Sequence, residues 1–279
     1  MRLGKHKRGN MPTSGWETAG PAAANGPAGE VKALYRYPVK GLNGQALTST
    51  TLTPGATVPC DRLYAIENGA GRFDAEAPRH LPKINFLMLM RNERLATLGS
   101  TFEEETHTLT LLRDGKPVAR GGLKTPIGRR LIEQFLAAYM KSDLRGPPKI
   151  VQAEGHSFSD VAAKCMHIVN LASVRELART LGRPINPLRF RANLYLEGLA
   201  PFAERNWLKA EIELGEVRLA PFASTTRCEA TNVDPDTGAR DLAIPAHLQR
   251  TWGHAEFGIY ARVLTGGELR PGMRVRIAS

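Results

Sequence analysis

The sequence predicts a mainly β protein with a few helices, an α+β fold class built on barrels or closed sheets. Three observations support this prediction. Short apolar or alternating segments recur between Gly, Pro, Asn and Asp residues from residue 31 onwards. Helical periodicity is clear in only two segments, and the sequence has no internal repeat. Hydrophobic residues make up 42% of the 279 residues, which allows a sizeable core.

The first half begins with an expected tail and continues as strands. Residues 1–29 are expected to be disordered, because residues 18–29 are rich in Pro, Gly and Ala and have no periodicity. Strands are predicted at residues 31–37, 47–52, 63–66 and 86–90, and a hairpin at residues 106–112 and 118–119. A helix is predicted from the N-cap Thr125 and Pro126 onwards. Its predicted apolar face consists of Ile127, Leu131, Phe135 and Tyr139.

A domain boundary is predicted near residue 150, because Gly146-Pro147-Pro148 interrupts the chain. It separates a domain of residues 30–150 from one of residues 151–279. Further strands are predicted at residues 150–151, 165–169, 192–196, 211–214, 217–219, 257–264 and 273–277. A second helix is predicted at residues 172–181, with Gly182 as a left-handed cap.

Charge and cysteine content limit the function classes. The 38 basic and 27 acidic residues give a formal charge of +11, which favours nucleic acid, anionic lipid, phosphorylated ligands or acidic proteins without choosing among them. Aromatic residues are only 6%, which argues against a stacking platform for single-stranded nucleic acid. The three cysteines, Cys60, Cys165 and Cys228, are too few for a four-cysteine iron–sulfur cluster. No apolar stretch approaches the ~20 residues of a membrane helix, so a cytoplasmic location without membrane binding is expected.

Common catalytic motifs are absent from the sequence. It contains no Walker phosphate loop, no H-E-x-x-H zinc helix, no G-x-S-x-G elbow and no strand-anchored G-x-G-x-x-G. The histidines do not cluster at metal-ligand spacing, although His156 lies in a polar turn and could line a site. Residues 189–194 lack the Gly and paired aromatics of an RNA-recognition strand, so nucleic-acid binding is not expected.

The most informative segment is the polar loop of residues 221–238, which contains Cys228 directly after Arg227. A guanidinium neighbour favours the thiolate, which is both a nucleophile and a soft metal ligand. A tolerated loop thiol is the alternative. Asp234 and Asp236 fit a turn, and could also relay protons. Two other positions, Lys40-Gly41 and Arg62, have the residue types of an anion site but are also typical of solvated strand ends.

Together these segments resemble the MOSC proteins that carry a MOSC N-terminal β-barrel domain. The matching segments follow the family's order: YRYPVK at 35–40, DR at 61–62, NFLML at 85–89, NLASV at 170–174, LRFRAN at 188–193, RC at 227–228, VDPDTG at 233–238 and GIYA at 258–261. The similarity covers the chain from about residue 30 to residue 279. The family includes the mitochondrial amidoxime-reducing component and bacterial proteins that detoxify N-hydroxylated bases, and molybdenum-cofactor sulfurases are more distant.

The resemblance implies an N-terminal β-barrel-like domain followed by a MOSC β-barrel domain that binds a molybdenum cofactor. It implies that Cys228 ligates the metal through its thiolate. The cofactor-binding residues implied by position are Lys40, Gly41, Arg62, Arg191, Asn193, Arg227 and Cys228. Gly41 departs from the serine that is common in the family, so a contact there would come from the backbone.

Three hypotheses for function follow. The first is a molybdenum-dependent reductase of N-hydroxylated substrates, in which Cys228, Asp234 and Asp236 are the catalytic candidates. Because this chain cannot hold the iron–sulfur cluster that some relatives carry, its electrons would come from a separate acidic donor, a ferredoxin or a flavodoxin-like protein. The second is a carrier of persulfide sulfur or of molybdenum cofactor that uses Cys228. The third is a basic binding module for RNA or an acidic protein.

Overall fold

The computed structural model describes residues 29–69 and 71–278. The tail predicted for residues 1–29 lies outside these residues, apart from Gly29, which begins the first strand. The strands are β1 (Gly29–Arg36), β2 (Gln45–Leu47), β3 (Thr50–Leu52), β4 (Ala65–Asn68), β5 (Gly99–Glu103), β6 (Thr108–Arg113), β7 (Lys116–Gly122), β8 (Pro148–Val151), β9 (Met166–Asn170), β10 (Leu194–Glu197), β11 (Glu211–Leu214), β12 (Val217–Thr226), β13 (Glu256–Thr265), β14 (Gly267–Leu269) and β15 (Arg274–Ala278). The helices are α1 (Pro126–Tyr139), α2 (Leu171–Leu181) and α3 (Ile244–Trp252). The mainly β prediction with a few helices is confirmed.

Seven strands form a closed barrel. Their order is β10-β9-β13-β12-β11-β15-β1, and β1 pairs back to β10. The β9–β10 pair is parallel, and the other six pairs around the barrel are antiparallel. Buried aliphatic side chains from the strands fill the interior, among them Val31, Ile168, Leu196, Leu219, Ile259 and Val275.

Strand β1 therefore belongs to the barrel, although it precedes the other six barrel strands by more than a hundred residues. It pairs with β10 and β15 on its two edges, and β2 continues the sheet beyond it. The boundary predicted near residue 150 stays a prediction.

The remaining strands form small sheets around a second apolar cluster. Strands β5, β6 and β7 make a three-stranded antiparallel sheet, and β4 pairs with β8. Helix α1 packs on β7 and β8. The cluster contains Val39, Ile66 and Leu95 together with Ile132 and Leu136 of α1.

Helix α1 begins as predicted but is rotated from the predicted face. Thr125 caps it by accepting a hydrogen bond from the Gly128 N–H at 3.1 Å. On the predicted face, Ile127 is 73% exposed and Leu131 is 49% exposed, but Phe135 and Tyr139 are partly buried against the second cluster. The buried residues of the helix are Gly128, Ile132 and Leu136. The reason is that Gly128 has no side chain and lets the helix lie directly against the backbone of Gly121–Gly122. This close approach fixes the rotation of the helix.

Two other sequence predictions were wrong, and one helix was missed. Residues 86–90 are not a strand: the run is buried as a loop, in which the Asn92 N–H donates to Met88 O at 2.8 Å and the Met88 N–H donates to the Asn92 side chain at 3.0 Å. The predicted strand 47–52 is divided into β2 and β3, which pair with β1 and β14 respectively. Helix α3 was not predicted at all. Among the described helices, none has the length and apolarity needed to cross a membrane.

Candidate functional site

A cavity of about 380 Å³ is lined by parts of β9, β12 and β13 together with loops from the first half of the chain. All the residues that the resemblance implied for cofactor binding line it: Lys40, Gly41, Arg62, Arg191, Asn193, Arg227 and Cys228. Six Lys or Arg residues and two Asp residues line the cavity, so its formal charge is positive. The structure therefore brings together residues that lie up to 188 positions apart in the sequence. Such a cavity suits an anionic ligand.

Three of these residues have left-handed backbone conformations. Arg62 has a φ of 50° and Arg191 a φ of 53°, values that are uncommon for residues with a side chain. Gly41 has a φ of 89°, and a Cβ atom there would lie 2.7 Å from the Leu87 carbonyl oxygen. Residues in sparsely populated conformations cluster at functional sites.

Arg62 is held in place by a buried carboxylate. Its guanidinium pairs with Asp61 at 2.6 Å and donates to Arg191 O at 2.9 Å. Asp61 also accepts the Tyr37 N–H at 2.7 Å. Burial by itself lowers the pKa of Arg62, but the Asp61 carboxylate outweighs burial and raises the pKa above its usual range. Arg62 is therefore a fixed cation whose charge is compensated before any ligand binds.

Arg191 differs from Arg62, because its guanidinium has no hydrogen-bond partner among the described residues. It lies over the Tyr37 ring, 4.4 Å from the centroid, and the Arg62 guanidinium lies 4.6 Å from the same centroid. Burial, with a smaller contribution from Arg62, lowers the pKa of Arg191 to about 10. The side chain remains protonated at neutral pH, and its charge has no carboxylate partner in the structure.

Lys40 forms a second charged group in the cavity. Its ammonium donates to Phe158 O at 2.9 Å and to Asp160 Oδ1 at 2.6 Å. Burial lowers the pKa of Lys40, and Asp160 opposes this effect. Burial raises the pKa of Asp160, but Lys40 and Lys83 outweigh burial and hold that pKa well below its usual range. Both groups of the pair are therefore charged at neutral pH.

His167 and Arg227 form a polar contact on the cavity wall. An Arg227 N–H lies 3.2 Å from His167 Nε2, and a second donates to Phe190 O at 2.7 Å. Burial, together with the guanidinium groups of Arg227 and Arg62, holds the pKa of His167 well below its usual range. The imidazole is therefore neutral, and its Nε2 accepts the hydrogen bond from Arg227.

Asn193, which directly precedes β10, links β9 and β1 through its side chain. It is 1% exposed, accepts the His167 N–H at 3.0 Å and donates to Tyr35 O at 3.1 Å. Its side chain thus joins β9 to the end of β1. The amide oxygen also lies 3.4 Å from Arg62 Nη1.

Cys228 lies at the N-terminus of the 3-10 helix Glu229–Asn232, directly after β12. The thiol is half-buried, and Cys228 O accepts hydrogen bonds from the backbone and side chain of Thr231 at 3.1 and 3.0 Å. Cys165 lines the same cavity but is buried, which raises the pKa of its thiol to about 11. Within residues 29–69 and 71–278, no three His, Cys, Asp or Glu side chains form a group that could hold a metal ion. A metal at Cys228 would need further ligands from a cofactor.

Arg189 organises the segment after Cys228. Its side chain is 2% exposed and pairs with Asp234 at 2.8 Å and Asp241 at 2.7 Å. It also donates to Asn232 O at 3.1 Å. Arg189 was not selected from the sequence, because an arginine in a strand-like segment gives no signal of what it will bind.

Asp234 and Asp236 do not line this cavity. Asp234 Oδ1 accepts the N–H groups of Asp236 and Thr237 at 3.0 and 2.9 Å, which closes the turn. Asp236 accepts from the Asn186 amide at 3.0 Å and borders a smaller neighbouring cavity. A proton-relay function for either residue stays a prediction.

Two acidic residues in the cavity, Asp61 and Asp160, were not selected as site residues from the sequence. Asp160 belongs to the polar turn in which His156 was singled out. His156 instead packs against Phe73 and Phe158, with ring centroids at 5.2 and 4.7 Å. The polar turn does contribute a residue to the cavity, but that residue is Asp160 and not His156.

Two family models match the chain. The MOSC N-terminal beta barrel domain matches residues 28–134, and the MOSC domain matches residues 154–276. The mitochondrial amidoxime-reducing component 1 of Mus musculus is 24% identical over 262 residues, which covers 80% of this chain and 71% of that protein. The Homo sapiens protein is 23% identical over 255 residues, 80% of this chain and 72% of its own. A molybdenum cofactor sulfurase of Caenorhabditis elegans is 34% identical over 119 residues, 40% of this chain and 16% of that protein.

Solved structures that match the chain include the YuaD protein of Bacillus subtilis, with a TM-score of 0.42 and 14% identity over 90% of this chain and 96% of that one. YiiM of Escherichia coli has a TM-score of 0.32 and 18% identity over 41% of this chain and 54% of that one. The two family matches cover most of the described residues, and they follow each other in the order that the sequence implied. The chain carries a MOSC N-terminal β-barrel domain followed by a MOSC domain.

Proposed function

We propose that this protein binds a molybdenum cofactor and reduces N-hydroxylated compounds with electrons from a separate donor. The observation that carries the proposal is one cavity that combines the Cys228 thiol with the cationic side chains of Lys40, Arg62, Arg191 and Arg227. Relatives that match along 80% of the chain are named as amidoxime-reducing components, and an amidoxime carries an N–OH group.

The donor set fits such a cofactor. A pyranopterin with a terminal phosphate and a dithiolene is anionic, and the cavity has more cations than carboxylates. Arginine is suited to phosphate because its planar N–H groups bind two oxygens at once. A thiolate is a soft ligand that suits a transition metal. One protein thiolate is sufficient when the cofactor supplies the other sulfur ligands.

Buried polar groups without partners also fit a bound ligand. Thr225 lines the cavity, is 3% exposed, and its hydroxyl has no hydrogen-bond partner in the described structure. The same is true of Arg227 Nε, although the other two guanidinium nitrogens are bonded. In native proteins most buried polar groups have a hydrogen-bond partner, so these two groups are expected to have one as well. A polar ligand in the cavity would supply one.

In this proposal Arg62, Arg191 and Lys40 would bind the anionic groups of the cofactor, and of these three only Arg191 has no carboxylate partner in the described structure. Cys228 would bind the metal. When bound, a molybdenum cofactor supplies two-electron oxygen-transfer chemistry, which the side chains of the cavity lack. Reduction of an N–OH group consumes two electrons and two protons and releases water. The chain's own contribution is orientation and charge compensation.

The electron donor would be a separate acidic protein, a ferredoxin or a flavodoxin-like protein, in the cytoplasm. The formal charge of +11 supports this part of the proposal, because opposite charges steer two proteins together. Salt should therefore slow electron delivery from an acidic donor, while leaving turnover with a small chemical reductant nearly unchanged.

The proposal is tested by measuring molybdenum by elemental mass spectrometry in protein from a molybdate-fed, cofactor-competent host. We expect nearly one molybdenum per chain in the wild type and a large loss in Cys228→Ala, with pterin fluorescence after oxidation in parallel. Cys60→Ala is the matched control, because Cys60 is also half-buried but does not line the cavity. Absence of both metal and pterin from the wild type, in a host that loads a control molybdoenzyme, would contradict the proposal.

A second candidate function is a carrier of persulfide sulfur or of molybdenum cofactor. It is supported by the match to a molybdenum cofactor sulfurase and by the half-buried thiol of Cys228. A persulfide carrier predicts a mass increase on the peptide that contains Cys228 in protein without molybdenum. Bound pterin without metal would favour the cofactor carrier instead.

A further inference from the structure

Arg240 connects the Cys228 segment, residues 228–238, to the part of the cavity wall that contains Leu89 and Met90. Its Nη1 lies 3.3 Å from Glu229 O, in the residue that follows Cys228. Its Nη2 lies 3.1 Å from Leu89 O, 2.6 Å from Met90 O and 3.0 Å from Glu93 Oε2. One guanidinium thus joins two segments that are about 150 residues apart in sequence. The carbonyl contacts matter more than the ion pair, because Arg240 and Glu93 are partly exposed.

A close backbone contact lies beside this arginine. Gly238 has a φ of 73°, and a Cβ atom there would lie 2.8 Å from Thr97 Cγ2 and 3.2 Å from Glu93 O. The turn before Arg240 is therefore packed directly on the 3-10 helix Glu93–Thr97. Both the packing and the hydrogen bonds hold the same two segments together.

The two arginines that hold the Cys228 segment act on different surfaces. Arg189 is buried and binds groups within the segment itself, the Asp234 carboxylate and Asn232 O among them. Arg240 is on the outside and reaches across to Leu89 and Met90, which line the cavity together with Cys228. Arg189 binds within the segment, whereas Arg240 joins the segment to Leu89 and Met90.

We propose that Arg240 is a positioning residue that holds the Cys228 segment against residues 88–93 and so fixes the width of the cavity next to the thiol. This inference deepens the proposed function, since the fixed width would set where Cys228 meets a metal and how much room a substrate has. It can be tested without the cofactor, because the reactivity of the Cys228 thiol reports on the position and mobility of the segment.

The test is alkylation of the metal-free protein by iodoacetamide at fixed pH, quantified for each cysteine peptide by mass spectrometry. Loss of hydrogen bonds from a charged group should raise the open population of the segment, so Arg240→Ala should increase the rate at Cys228 about tenfold. Arg240→Lys can restore one contact and should return the rate to within about threefold of wild type. Arg179→Ala is the matched control, because Arg179 is an exposed arginine whose pair with Glu176 does not touch the cavity.

Cys60 and Cys165 serve as internal references. An equal acceleration at all three cysteines would show a general loss of stability and would overturn the proposal, as would an unchanged rate at Cys228. If Arg240→Ala does not fold, Arg240→Gln replaces it: the shorter side chain cannot reach Glu229 O and the Leu89 and Met90 carbonyls at once, and it should accelerate Cys228 alone. Because labelling needs no metal, a failure of this inference is distinguishable from a failure to find molybdenum.

Discussion

Arg62 and Arg191 both present a guanidinium to the cavity, but they would contribute different amounts of binding free energy to a bound anion. Arg62 is paired with Asp61 at 2.6 Å, so its charge is already compensated by a carboxylate. Arg191 has only the Tyr37 ring, with its centroid at 4.4 Å, and burial lowers its pKa to about 10. Because the Arg191 guanidinium has lost its water and has no carboxylate partner, a bound anion should be stabilised more by Arg191 than by Arg62.

The neutral state of His167 gives the protein a predictable pH dependence. In the unfolded chain the imidazole takes up a proton below a pKa of about 6.5. In the folded protein burial, Arg227 and Arg62 hold the pKa of His167 well below that value. The stability that neutral His167 contributes is therefore present above pH 6.5 and is lost as the pH falls below it, by up to about 1.4 kcal/mol per pH unit.

We expect His167→Gln to remove this part of the pH dependence, because Gln can still accept a hydrogen bond from Arg227 but does not titrate. The measurement is the free energy of unfolding from urea denaturation at pH 7.5, 6.5, 5.5 and 5.0 for both proteins. The slope between pH 6.5 and 5.0 should be smaller in the variant. Equal slopes would mean that the pKa of His167 is the same in the folded and unfolded states.

How far the sequence predicts the site depends on the kind of residue. Lys40, Arg62, Arg191, Arg227 and Cys228 were predicted together because they stand in recognisable motifs, and the cavity contains all of them. The charge partners could not be predicted in the same way. Asp160 reaches Lys40 across 120 positions of sequence, so their contact depends on the folded chain alone.

Helix α1 shows how packing overrides a helical pattern. The sequence pattern favours a face of Ile127, Leu131, Phe135 and Tyr139, yet the first two are exposed and the last two are only partly buried. The contact at Gly128 determines which face of the helix is buried, because a Cβ there would lie 2.2 Å from Gly122 O. A periodic pattern alone could not show this, because two apolar stripes lie side by side on the helix and only one is placed next to the glycine.

We therefore expect Gly128→Ala to destabilise the protein, although alanine is the better helix former by about 1 kcal/mol. The added methyl group collides with backbone atoms that cannot move aside, so the free energy of unfolding should fall by about 2 kcal/mol or more. Urea denaturation measures this change. Arg130→Ala in the same helix is the control, because Arg130 is exposed and its replacement should alter stability by less than about 0.5 kcal/mol. A variant as stable as the wild type would show that α1 does not dock through this glycine.

The loop of residues 86–90 illustrates a second limit of sequence patterns. Its apolar run resembles a buried strand, and Phe86 does form one bridge with Glu67. Beyond Phe86 the chain turns, and the Asn92 side chain accepts from the Met88 N–H. Burial could be predicted from composition, but the turn depends on a polar residue outside the apolar run.

The barrel as a whole is closed by a strand from the start of the described chain. Strand β1 contributes buried Val31 and Leu34 to the barrel interior and pairs with both β10 and β15. Without β1 these two strands would become open edges, and a closed barrel is one of the few β folds that has none. The predicted boundary near residue 150 would therefore separate a barrel from one of its own strands.

We expect residues 151–279 expressed alone to be unfolded or aggregated, because two strand edges and part of the core are exposed. Adding residues 29–37 after a flexible linker at residue 279 should restore folding, since β15 and β1 are antiparallel neighbours and a short linker can join them. Circular dichroism and cooperative urea unfolding measure the outcome. The control carries Val31→Asp and Leu34→Asp in the added strand, which keeps its length but cannot fill the core. If the fragment without β1 unfolds cooperatively, the second domain is autonomous and β1 is an accessory strand; if only the fragment with the native strand does so, the folding unit of the barrel extends across the predicted boundary.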